Sequence, residues 1–197
     1  MDIFLALLTF IFVASFTPGP NNIIAMSIGF AHGFKKVLPH VAGVTIGFGA
    51  MLLIIGIILK PILLKYPIIL TTLKYISFTY LLYIVYKIAT ANFDSGANKK
   101  KPITFIESVL FQWINPKAIA GALSLITLYI PANEFFKWLF IAVGISTINT
   151  ILAISMWGIL GVKISTFLKN RLYQKIFNFI MAILLLVSVT VALFTKN

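Results

Sequence analysis

The chain has 197 residues, of which 60% are hydrophobic and only 10% charged, and its mean hydropathy is +1.05. Soluble domains hold nearer half apolar residues, so this balance excludes an ordinary water-soluble protein and requires an integral membrane one, with the lipid bilayer as its partner. The formal net charge of +12 does not argue for nucleic acid, because the basic residues fall in short clusters between apolar runs, the pattern of topology signals at a membrane face.

A helix rises about 1.5 Å per residue, so a membrane span needs roughly 20 apolar residues. Six segments meet or approach that length: 3–30, 38–59, 68–89, 105–130, 135–160 and 176–194. Met1-Asp2-Ile3 lacks a basic n-region and no small-residue cleavage pattern follows, so the N-terminus is expected to be retained. The first segment is cut near its middle by Phe16-Thr17-Pro18-Gly19-Pro20-Asn21-Asn22. Two prolines around a glycine cannot continue a helix, since each proline lacks an N–H and its ring crowds the preceding turn. In hydrocarbon a broken backbone is tolerated only where protein or a polar cavity surrounds it. The break is therefore the first candidate site. Its carbonyls, with the side chains of Thr17, Asn21 and Asn22, can accept hydrogen bonds from an ammonium; equally, the two asparagines can cap the second half-helix.

His32 and His40 flank the Lys35-Lys36 turn and are read as wet residues at a membrane interface. Gly29 with Gly33, and Gly43 with Gly47, have the spacing that lets membrane helices approach closely. The third segment carries Lys74 in its first third, a charge that can snorkel. A polar linker, 92–101, follows at the midpoint and divides the chain into two halves, 1–91 and 102–197, of three spans each. The fourth segment is interrupted at Asn115-Pro116, a break at the position that matches the first. Gln112 lies one turn before it and Lys117 directly after it, the one charge near the middle of a span, where an unpaired ammonium costs at least about 2.5–3.5 kcal/mol. Lys117 either satisfies freed carbonyls or, with the start of a half-helix behind it, attracts a carboxylate. On the fifth segment Ser146, Asn149 and Thr150 recur at helical spacing and are expected to face the bundle interior.

The expected fold class is all-α integral membrane: six transmembrane helices in two inverted three-helix repeats, with proline-broken first and fourth helices whose breaks face each other. Lys35, Lys36, Lys87, Lys99, Lys100, Lys101, Lys163, Lys169, Arg171 and Lys175 fall on one side, which the positive-inside rule makes cytoplasmic. The opposite side holds Lys60, Lys65, Lys74, Lys137 and Lys196. A first segment that spans puts both termini outside, and one that dips in and returns puts the N-terminus in the cytoplasm; both readings stay open here. The candidate substrate site comprises Thr17, Pro18, Gly19, Pro20, Asn21, Asn22, Gln112, Asn115, Pro116, Lys117 and Asn149, a pocket for a zwitterion.

There is no cysteine, which excludes thiol chemistry. The four acidic residues, Asp2, Asp94, Glu107 and Glu134, lie at span ends or in loops, so a cationic substrate finds no buried carboxylate. Glu107 is the one carboxylate near enough to a break for proton coupling, and is expected to pair with the lysine cluster at the surface instead. No nucleophile with its base, no phosphate loop and no metal-ligand cluster can be assembled, so neither an enzyme nor a cofactor is expected.

Thr17-Pro18-Gly19-Pro20-Asn21-Asn22-Ile23, His32-Gly33-Phe34-Lys35 and Gly43-Val44-Thr45-Ile46-Gly47 resemble the opening of the LysE/RhtB amino-acid exporters, and Gln112-Trp113-Ile114-Asn115-Pro116-Lys117 resembles their second signature. The resemblance covers essentially the whole chain. Tyr83 to Thr90 and Lys101 to Phe105 look most like the branch that exports cysteine and O-acetylserine. The resemblance implies a multi-pass bacterial inner-membrane protein that moves amino acids out of the cytoplasm, driven by the proton gradient, with both proline breaks central to transport. Exporters of basic amino acids in this family are expected to carry intramembrane aspartates. This chain has none, which favours small neutral amino acids or derivatives, of the homoserine, threonine, cysteine or O-acetylserine kind. The alternative is a non-transporting membrane anchor or assembly subunit, against which the short loops speak. Homo-oligomerisation is left open.

Overall fold

The computed structural model describes residues 3–59, 66, 68, 72, 75, 79, 82, 85, 86, 101–168 and 170–194. Apart from those single positions, the expected third span and the linker up to Lys100 lie outside the described residues, as do Lys60, Lys65, Lys74, Lys87, Lys169 and Lys196. Every regular element among the described residues is helical.

Helix α1 (Ile3–Phe16) and α2 (Pro20–His32) form the first broken pair, and α3 (Leu38–Ile54) runs on through a π turn at Ile55–Leu59. The second pair is α4 (Phe105–Ile114) and α5 (Pro116–Ser124), followed by α6 (Phe135–Phe167) and α7 (Arg171–Phe194). The pairs bend by 46° and 62° at their breaks, and each, the second taken on through a π turn to Tyr129, is long and apolar enough to cross a membrane as a unit. Phe34–Ile58 and Ala132–Phe167 are long and apolar enough singly. Helix α6 continues past the expected end at residue 160, because 161–167 hold no proline and Ser165 and Thr166 bond back to the carbonyls of Val162 and Lys163. Helix α7 begins before residue 176, because Asn170 Oδ1 accepts the N–H of Leu172 at 2.8 Å and so caps it.

Glycines set the close contacts. A Cβ on Gly29 would meet the carbonyl of Gly158, and one on Gly161 the carbonyl of Met26, so α2 and α6 touch backbone to backbone. Gly43 and Gly47 seat α3 on α4, where a Cβ would lie 2.6 Å from Phe105 O and 2.9 Å from Val109 Cα. The expected approach through small residues is what these helices use. Gly33, at φ +81°, turns the chain from α2 into a short 3₁₀ turn, Phe34–Lys36, a conformation that a residue with a Cβ resists.

The buried apolar residues form two clusters. One joins Ile23, Phe30, Val41, Phe111, Ile154 and Phe177; the other joins Leu7, Met51, Ala122, Leu125, Leu139 and Ala142. Helices α1 and α5 lie in the second cluster, α2 and α4 in the first, so the chain passes between clusters at each break. The pairs also run in opposite directions: the end of α2 meets α6 near Gly158, while the start of α4 meets the start of α3. The first pair thus continues across the bundle, with no return. Outside, Ile46, Leu110, Leu128, Phe140, Ile148 and Leu152 stand exposed, a surface that water would penalise and lipid tails solvate.

Candidate functional site

Helix α1 ends because Pro18 has no N–H and Gly19 and Pro20 follow, which leaves carbonyls pointing along the axis with no donor from their own helix. The molecule supplies donors from elsewhere. Thr17 N–H still reaches Val13 O at 3.0 Å. Asn22 Nδ2 donates to both Ser15 O and Thr17 O at 2.9 Å. Trp157 Nε1 donates to Phe16 O at 3.3 Å. Lys117 Nζ donates to Thr17 O at 2.7 Å and reaches Pro18 O at 3.4 Å. The two breaks, 100 residues apart in sequence, therefore meet, with the ammonium of one on the loosened carbonyls of the other.

Neither asparagine caps α2, whose N-cap is Gly19 with no side-chain bond. Asn22 instead folds back on the end of α1, and Asn21 faces α4. That corrects the capping alternative: Pro20 occupies the first helical position, so the asparagines fall at the second and third, past the place from which a cap reaches. Gly19 has φ −165° and ψ 176°, an extended backbone open to any residue. What it provides is room: a Cβ there would lie 2.7 Å from both Cδ and Nζ of Lys117.

At the second break Asn115 does cap, its Oδ1 accepting Lys117 N–H at 3.1 Å, with Pro116 at the first position of α5. This places Lys117 in the first turn, where the helix dipole favours an anion. Gln112, fully buried, exchanges hydrogen bonds with Asn21: Asn21 Nδ2 to Gln112 Oε1 at 2.8 Å, and Gln112 Nε2 to Asn21 Oδ1 at 3.3 Å. Gln112 Nε2 also reaches Ser108 O at 2.8 Å.

The structure thus joins Thr17, Pro18, Gly19, Asn21, Asn22, Gln112, Asn115 and Lys117 in one layer, with Pro20 and Pro116 fixing the two helix starts. Asn149 is not in that network. It is buried beside Ser146 and Thr150, as expected of an inward face, but its Nδ2 donates to Ile145 O of its own helix at 3.0 Å. Glu107 belongs to a capping box at the start of α4, accepting Thr104 N–H at 2.7 Å while Thr104 Oγ1 accepts Glu107 N–H at 3.2 Å.

His40 is a correction. Far from wet, it is 0% exposed, held by Ser108 Oγ at 2.8 Å and Asn21 O at 3.1 Å. The signal was there: His40, Gly43 and Gly47 share a helical face, and so do Thr104, Ser108 and Gln112, a polar stripe opposite the glycines. Trp157 was missed too; an indole N–H inside a span requires an acceptor.

Residues 12–196 match the family of the LysE type translocator. The cysteine/O-acetylserine efflux protein of Salmonella typhimurium (strain LT2) is 30% identical to this chain over 185 residues, 90% of each. That of Escherichia coli (strain K12) is likewise 30% identical over 185 residues and 90% of each chain. No solved structure matches. The chain belongs to the LysE type translocator family, and it is a membrane transporter, not an enzyme.

Proposed function

We propose, proceeding from that membership, that the protein exports small neutral amino acids or their derivatives, cysteine and O-acetylserine among them, across a bacterial inner membrane by alternating access. The observation that carries this reading is the bond from Lys117 Nζ to Thr17 O. An α-amino acid brings an ammonium and a carboxylate. The carbonyls of the first break are arranged for an ammonium and receive that of Lys117. A substrate ammonium that takes its place on Thr17 O and Pro18 O releases Lys117 toward the substrate carboxylate, at the positive end of α5. Each charge then has a partner, and no net charge is added to the layer. Asn22 and Trp157 hold the remaining carbonyls, so the half-site keeps its shape during the exchange.

The same pairing favours neutral substrates. The titratable side chains of α1 to α5 are His32, His40, Glu107 and Lys117; the single carboxylate among them sits in the capping box, so a cationic side chain has no buried anion to meet. The antiparallel course of the two broken pairs supports two inverted repeats, 1–91 and 102–197, joined by the linker 92–101; that export is driven by the proton gradient is what the family resemblance implies.

Efflux from lipid vesicles loaded in turn with O-acetylserine, cysteine, threonine and homoserine, with and without a pH gradient, tests the function. Lys117→Ala, Pro20→Ala and Asn22→Ala each abolish efflux while the protein stays in the membrane. Efflux at the wild-type rate in these variants removes the site, and absence of transport for every amino acid removes the function.

A further inference from the structure

The partners around His40 accommodate two proton patterns without any change of geometry. Asn21 O only accepts, so Nε2 must carry a hydrogen. Nδ1 faces Ser108 Oγ at 2.8 Å, and Ser108 Oγ also lies 2.8 Å from Thr104 O. The hydroxyl has one hydrogen. If it points at Nδ1, the imidazole is neutral; Thr104 O is still served by Ser108 N–H at 3.0 Å. If it points at Thr104 O, Ser108 Oγ accepts from Nδ1–H, and the ring is an imidazolium. In both states every ring nitrogen has a partner, and the change needs one hydroxyl rotation and no movement of heavy atoms. A buried histidine held for structure alone requires only one of these states.

We propose that His40 is the proton-binding residue of the transport cycle, taking a proton at Nδ1 when the substrate leaves and losing it when the next one binds. This rests on the exporter reading given above. The coupling runs through Asn21, whose carbonyl receives Nε2–H, whose side chain is paired with Gln112, and which lies three residues beyond Pro18. An imidazolium on that carbonyl adds a positive charge to the layer that already holds Lys117, so it opposes a substrate ammonium on Thr17 O and Pro18 O. Proton and substrate exclude each other, and the balance is one N–H bond formed at Nδ1 for each zwitterion released. Among the described residues, the other titratable groups on the elements around His40 are His32 at the end of α2, Lys35 and Lys36 on the 3₁₀ turn, Glu107 on α4, Lys117 on α5, and Lys137 and Lys163 toward the two ends of α6; α3 carries none besides His40. Glu107 is the competing candidate, but its carboxylate is engaged at the start of α4.

The test uses the full chain in lipid vesicles with labelled O-acetylserine. In His40→Gln, which keeps a donor and an acceptor but cannot bind a proton, stimulation of efflux by external acid disappears while substrate exchange without a gradient remains measurable. Ser108→Ala removes the acceptor that the charged ring needs most, so the acid response moves to lower pH. A full acid response in His40→Gln overturns the proposal, as does loss of that response in Glu107→Gln with His40 intact. Nitrogen NMR of the His40 ring in wild-type protein decides the matter without transport: a second N–H appearing as the pH falls supports the proposal, and a ring that stays neutral down to pH about 5, well below an ordinary histidine, overturns it. If the wild type moves no amino acid, the exporter reading fails, and the ring titration still shows whether the proton site exists.

Discussion

Lys117 solves two costs with one contact. An unpaired ammonium within the bilayer costs at least about 2.5–3.5 kcal/mol, and a carbonyl released by a proline costs a further ~1–3 kcal/mol if left dry. Placing one on the other offsets both, and the contact leaves no room for a bulky side chain at Gly19. Gly19→Ala therefore strikes the far end of a flexible lysine, which can shift, whereas Gly19→Val fills the space it needs. Efflux is expected to fall partly in Gly19→Ala and to vanish in Gly19→Val, with both proteins still in the membrane; equal, normal efflux in the two would show that the lysine does not need this position. The extended backbone at Gly19 makes the comparison clean, since neither substitution strains φ. The prolines, the asparagines and the lone lysine could all be read from the sequence as a candidate site, because helix breaks and buried charges are chemically unusual in a membrane. His40 and Ser108 could not be found by that logic, since a histidine two residues from a span end is common at interfaces, and only the partner stripe on α4 identifies it as buried.

Elements meet here through what is absent from their surfaces. Between α2 and α6 the contact is glycine against carbonyl in both directions, at Gly29 with Gly158 and at Gly161 with Met26, so a methyl group has only backbone to displace. Gly29→Ala and Gly161→Ala are each expected to lower stability by about 1–3 kcal/mol, the cost of overpacking a rigid contact, seen as a lower unfolding temperature in detergent. Gly121→Ala, where a Cβ meets nothing within 4 Å, is expected to leave it unchanged or slightly higher, as replacing glycine within a helix does. Unfolding temperatures that do not separate the two groups would mean that the helices can slide apart at no cost. Helices α1 to α6 and the two breaks were legible from apolar length and proline chemistry, and the boundaries of α3 and α4 followed. The ends of α6 and α7 were not, since apolar length marks what lipid covers, while hydrogen bonding and caps decide where a helix stops.

Across the molecule the same contacts fix direction. Val37 lies against Gly158 and Gly56 against Leu139, so the Lys35-Lys36 turn sits at the Lys163 end of α6 and the far end of α3 sits near Lys137. The start of α4 lies beside Gly43 and so brings Lys101 to the Lys163 end as well, where the positive-inside rule expects the cytoplasm. Helix α1 packs through Leu7 and Ile11 with Leu139 and Ala142, which puts Ile3 at the opposite end. The sequence alone left the first segment free to cross or to return, because a proline break permits either; the packing of α1 and α2 toward opposite ends of α6 supports crossing. The chain has no cysteine, so single cysteines can be introduced without background. Lys36→Cys is expected to react with a membrane-impermeant maleimide only after the cells are opened, while Lys137→Cys and Ile3→Cys react in intact spheroplasts. Ile3→Cys reacting on the same side as Lys36→Cys would make the first pair re-entrant, and its antiparallel relation to α4 and α5, on which the proposed alternating access between inverted halves depends, would be lost.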